Sequence, residues 1–63
     1  MNLNLKERRI EKRMTQEELA QKSNISRQTI VSIENDPQYN VTSKTLVSLA
    51  KALDITVDQL FLP

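Results

Sequence analysis

The side chains of this 63-residue chain are poor in the groups that usually carry enzymatic chemistry. There is no histidine and no cysteine, which removes the common general base, the thiolate nucleophile, a disulfide framework and the usual zinc ligands. Glycine is absent as well, so no glycine-rich loop is available to cradle a phosphate. Glu7, Glu11, Glu17 and Glu18 fall on polar faces of expected helices. No two of them are expected to share an apolar pocket, and no acid–base dyad is indicated. A chain of this size also has little room for a ligand cavity. The expectation is no enzyme, no metal, no cofactor and no small-molecule ligand.

Residues 27–32 suggest a different chemistry. Arg27, Gln28, Thr29, Val31 and Ser32 project from one side of a helix if Ile30 and Ile33, three apart, face inward. Arginine pairs bidentately with guanine and glutamine with adenine, and the methyl groups of threonine and valine suit the thymine methyl. Taken alone, such a face is more often an ordinary solvated helix surface. The elements around it decide.

Glycine is missing and proline occurs only at 37 and 63, while Leu, Glu, Lys, Gln and Ala are common. Apolar residues recur at spacings of three and four, which predicts helix throughout. Five short helices are expected. The first runs from about Leu3 to Arg13. The second follows Thr15, which forms the capping-box pattern with Glu18, and ends near Lys22. Ser23, Asn24 and Ile25 make a tight turn, and Ser26 caps a third helix from Arg27 to about Asn35. After the loop Asp36–Val41, Thr42 caps a fourth helix, Ser43 to Leu53. Thr56 and Gln59 form a second capping box that opens a final turn or two through Phe61. Each cap contributes about 1 kcal/mol, a sizeable share of the roughly 3–5 kcal/mol that so small a core supplies. Without glycine, left-handed turn positions are expected to fall to Asn24, Asn35 and Asp54, since Asn and Asp tolerate them best.

Leu19 and Ala20 of the second helix and Ile30 and Ile33 of the third are expected to face each other, with Ile25 plugging the turn. The small Ala20 lets the helices cross closely. This is the requirement of a helix-turn-helix, whose second helix docks in the major groove and reads bases with its N-terminal residues.

The stretch Thr15-Gln16-Glu17-Glu18-Leu19-Ala20, with Ile25-Ser26-Arg27-Gln28-Thr29-Ile30 and Ile33-Glu34, resembles the Cro/CI (XRE-type) helix-turn-helix regulators. So do Thr45-Leu46-Val47, Leu49-Ala50-Lys51-Ala52-Leu53 and Leu60-Phe61. The resemblance spans about Leu5 to Phe61 and implies an all-α, lambda-repressor-like DNA-binding domain. There are departures. The family usually has glycine at 24 and often leucine at 23, where this chain has Asn and Ser. Glycine is also common at 13 and 54, where it has Arg and Asp. Arg13 is the hardest to place, and a basic group near DNA is one role for it.

The resemblance further implies that Gln16 bonds a DNA phosphate, the other reading being a plain first-turn residue. Ser26, whose helix N-terminus offers free amides to phosphate, joins it. Arg9 and Glu34 match a recurring structural pair. Asn35, Tyr39 and Lys44 lie in or after the loop that runs beside the phosphate backbone in the family. Tyr39 is expected to pack on the domain. For Asn35 and Lys44, phosphate contact and solvent exposure both stand open.

The net charge of +1 says little about partners. Lys6, Arg8, Arg9, Lys12 and Arg13 crowd the first helix against Glu7 and Glu11 alone, and on charge alone this is a solvated helix face. Residues 1–63 form a single domain. The chain lacks an apolar run of membrane-spanning length and a signal-peptide core, so a cytoplasmic location is expected. The expected partner is a double-stranded DNA operator, read by a homodimer that sets two recognition helices about 34 Å apart. The apolar end, Ile55, Val57, Leu60, Phe61 and Leu62, supplies a seam: Phe61 and Leu62 face the partner, while Val57 and Leu60 serve the monomer core. The expected function is a transcriptional repressor. The alternative is a helix-turn-helix protein-interaction module such as an antitoxin component, against which the lack of a tail beyond Pro63 counts.

Overall fold

Among the described residues, four α-helices and one 3₁₀ turn form around side chains drawn from every element. The structure, a computed structural model, describes residues 3–61. In chain order the elements are α1 (Leu5–Glu11), α2 (Gln16–Ser23), α3 (Arg27–Asn35), α4 (Ser43–Leu53) and the turn Asp58–Leu60. Leu5, Leu19, Ile30, Leu49, Leu53 and Leu60 are fully buried, so each element inserts at least one branched apolar side chain. Helix α2 packs on both α3 and α4, and α1 packs on α3. Ile25 and Ala20 are half-buried against this core, as are Tyr39, Val41 and Val57.

The caps explain where three helices begin. The Thr15 hydroxyl accepts from the Glu18 amide at 3.0 Å, and the Glu18 carboxylate accepts from the Thr15 amide at 2.8 Å. Ser26 accepts from the Thr29 amide at 3.1 Å and Thr42 from the Thr45 amide at 3.2 Å. These local bonds satisfy amides that have no partner within the helix. The bounds of α3 and α4 agree with the sequence expectation.

The ends of the chain do not. Five helices are expected from the sequence, but the fifth is a 3₁₀ turn. Thr56 and Gln59 do form their box, at 2.9 and 3.3 Å. The amides that follow, however, bond back three residues: Leu60 to Val57 at 3.0 Å and Phe61 to Asp58 at 3.0 Å. The carbonyls of Gln59 and Leu60 are taken by α1, through Arg8 Nε at 3.0 Å and the Asn4 amide at 2.7 Å. The segment is thereby held as a tight turn that delivers Leu60 to the core. Helix α1 is also shorter than Leu3–Arg13. Asn4 occupies its N-cap without a side-chain bond, and its end is set by Arg13, whose φ is 57°.

Among the described residues, Arg13, Asn24 and Asp54 are the non-glycine residues with positive φ. The sequence reading places Asn35 in this group, but Asn35 is the last helical residue. The chain leaves α3 through extended Asp36 at φ −120°, whose carboxylate accepts from the Gln38 amide at 3.0 Å. Asn24 and Asp54 tolerate the left-handed region through their short polar side chains. Arg13 has no such device, and an ordinary side chain there costs roughly 1–2 kcal/mol. Ser23 stays within α2 instead of turning. It is buried, and its hydroxyl donates to the Leu19 carbonyl at 2.7 Å and accepts from the Ile25 amide at 3.2 Å, easing the chain into the turn.

Candidate nucleic-acid interface

Helix α3 is anchored along one side by Ile30 and Ile33, which are 0% and 7% exposed. A helix repeats its face every three to four residues, so this anchoring fixes what points away. Arg27 and Gln28 are exposed, and neither side chain has a hydrogen bond or ion pair among the described residues. Thr29, Val31 and Ser32 are half-buried. The Thr29 hydroxyl accepts from Ser26 Oγ at 2.8 Å, so both hydroxyls are engaged in the cap at the start of α3. The apolar remainder of this face, chiefly Val31, is partly accessible beside the bare Arg27 and Gln28.

The opposite end of α3 carries charge that is already committed. Arg9 Nε donates to Glu34 Oε2 at 2.7 Å and Nη2 to Oε1 at 3.1 Å, a two-pronged pair. Arg9 Nη1 donates to the Met14 carbonyl at 2.7 Å. Gln16 Nε2 donates to Glu34 Oε1 at 3.0 Å. The Glu34 side chain is 2% exposed and that of Arg9 12%. The hydrogen bond to Glu34 holds the Arg9 guanidinium above its ordinary pKa, against the opposing effect of burial and helped by the carboxylate's charge. A carboxylate this deeply buried needs partners for both oxygens, and here it finds them on α1 and at the first residue of α2.

The sequence leaves Gln16 either as a phosphate contact or as a plain first-turn residue. Its bond to Glu34 is a contact that sequence reasoning missed. The contact joins residues 16 and 34 across two elements, and the nearest available signal was the Arg9–Glu34 pattern itself. The carboxylate fixes the side-chain amide with its nitrogen toward Glu34, because the amide oxygen would be repelled there. One N–H of that nitrogen then remains for another acceptor.

The other sequence-chosen residues are dispersed. Asn35 is exposed at the end of α3, and Lys44 is exposed in the first turn of α4 with no hydrogen bond or ion pair among the described residues. Tyr39 packs on the core. Phe61 is 43% exposed, and Leu62 lies outside the described residues. Among the described residues, no group of three His, Cys, Asp or Glu stands together to hold a metal ion. No helix there is long and apolar enough to cross a membrane.

The helix-turn-helix family profile matches residues 5–60. The restriction-modification controller protein C.AhdI from Aeromonas hydrophila, known from a crystal structure, is similar, with a TM-score of 0.84 and 38% identity over 90% of this chain and 85% of that one. A comparison with curated proteins gives no match. The capped helix pair, the buried isoleucines and a match over almost the whole chain lead to one conclusion: this protein belongs to the XRE-type helix-turn-helix family of DNA-binding transcriptional regulators.

Proposed function

We propose that the chain represses transcription by binding a pseudo-palindromic operator as a homodimer, with α3 in the major groove. The observation that carries this reading is the N-terminal half of α3. Arg27 and Gln28 are bare there, on a helix whose other side is fixed by Ile30 and Ile33. In this reading Arg27, Gln28, Thr29, Val31 and Ser32 contact base edges. Gln16, Ser26, Asn35 and Lys44 contact phosphates, which set position and affinity but carry no sequence information.

Size supports two copies. The longest dimension of the domain is 23 Å, and equivalent half-sites on duplex DNA lie about 34 Å apart. One domain therefore covers one half-site. Phe61, 43% exposed at the end of the described chain, belongs to the seam between copies in this reading; Leu62, the other seam residue expected from the sequence, lies outside the described residues. The likeness to a protein described as a restriction-modification controller supports a regulatory role.

Selection of bound sequences from a random duplex pool tests the reading. Enrichment of inverted repeats with centres about one helical turn apart is the expected result. Enrichment of nothing, or of single sites without symmetry, overturns the operator and dimer assignment.

A further inference from the structure

The basic side chains of α1 and the turn after it divide into two groups. Arg8 donates to the Gln59 carbonyl at 3.0 Å and pairs with Glu11 at 3.2 Å. Arg9 is consumed by Glu34 and Met14. Lys6, Lys12 and Arg13 are exposed and have no side-chain hydrogen bond or ion pair among the described residues. Of these three, Arg13 holds a conformation that disfavours it, at φ 57°.

No side-chain hydrogen bond or ion pair among the described residues offsets that strain. The backbone around it is nevertheless firmly set. The Arg13 amide bonds the Ile10 carbonyl at 2.9 Å and the Met14 amide bonds the Arg9 carbonyl at 3.1 Å. A non-glycine residue kept in a left-handed position points to a role outside folding stability. Its place indicates which. Arg13 stands two residues before Thr15, the N-cap of α2, and three before Gln16. Three residues span at most about 11 Å, so the Arg13 backbone lies within that reach of the Gln16 backbone. An unpaired guanidinium thus stands close in the chain to Gln16 and to the positive end of the α2 dipole, and both a cation and a helix N-terminus favour an anion.

We propose that Arg13 is a further phosphate-contacting residue on duplex DNA, and that this chain keeps a cation where glycine or asparagine would fold better. The proposal rests on the DNA-binding reading above. Arg13→Asn removes the charge while suiting the left-handed turn, and Arg13→Lys keeps the charge. Both are made in the full chain. Thermal melting and binding to mixed-sequence duplex DNA are then followed over a series of salt concentrations.

Arg13→Asn is expected to melt higher than the unaltered chain and yet bind more weakly. Losing one phosphate contact makes the slope of log K against log salt shallower by about 0.9, or about eightfold in affinity at about 0.1 M salt. Arg13→Lys retains the slope. Because the asparagine variant is the more stable one, its weaker binding is not a folding defect. An Arg13→Asn chain that binds with unchanged slope, or that melts no higher, overturns the proposal. If the unaltered chain itself shows no salt-dependent binding to duplex DNA, the DNA-binding reading falls and this one with it, so the two failures are told apart.

Discussion

The two ends of α3 hold their polar side chains in opposite ways. At the C-terminal end Glu34 is almost wholly enclosed, and both its oxygens are bonded to α1 and α2. At the N-terminal end Arg27 and Gln28 are exposed and unbonded. The enclosed end sets the angle at which the helix leaves the domain, and the bare end is what it presents. Along α3, the bonded carboxylate belongs to the frame, and the two unbonded side chains are the ones most open to a ligand.

Substitutions at the two ends should therefore fail in different ways. The largest effect is expected from Glu34→Ala. Removing one member of a buried pair leaves the other charge uncompensated, at a cost of about 3–5 kcal/mol. That equals the whole stability expected of a core this small, so helical signal should be mostly lost at room temperature in a urea titration. A loss below about 1 kcal/mol would mean that the enclosed end frames nothing.

Gln28→Ala comes next. It should leave the melt within about 0.5 kcal/mol of the unaltered chain, while weakening operator binding by about 1–3 kcal/mol and relaxing preference at one base pair. Unchanged sequence preference would remove Gln28 from the reading surface. Lys44→Ala, in the first turn of α4, should weaken all duplex sequences alike and make the salt slope shallower by about 0.9. A sequence-dependent loss there would move Lys44 from the phosphates to the bases.

The smallest expected effect is that of pH on the Arg9–Glu34 pair. The folded-state pKa of Arg9 is raised, so its contribution is fully present below the ordinary guanidinium range and is lost only as pH rises through the shifted value. The chain has no histidine to titrate near neutrality. Melting followed from neutral to mildly alkaline pH should stay level. A steep fall in that window would show that another group controls the enclosed end.

Sequence legibility followed the range of the interactions. The starts of α2, α3 and α4 could be read because Thr15, Ser26 and Thr42 bond amides three residues away. The outward face of α3 could be read because Ile30 and Ile33 repeat at helical spacing. The final helix was misread because its fate depends on Arg8 and Asn4, more than fifty residues earlier in the chain, which take its carbonyls. Arg13 escaped because turn preference favours Asn or Asp at a left-handed position, and Asn35 looked the better candidate. The half-burial of Thr29, Val31 and Ser32 depends on neighbours from other elements, which helical periodicity does not report. The bond of Gln16 to Glu34 is not legible in the sequence, because it joins two helices that only the folded chain brings together.

The triply bonded Glu34 carboxylate has an evolutionary consequence. If α3 reads bases as proposed, its clamping from behind means that exchanging Arg27 or Gln28 would leave the docking angle untouched. New target sites are then within reach of single substitutions, and a lineage built on this scaffold is free to diverge in what it recognises while inheriting the same posture on the double helix.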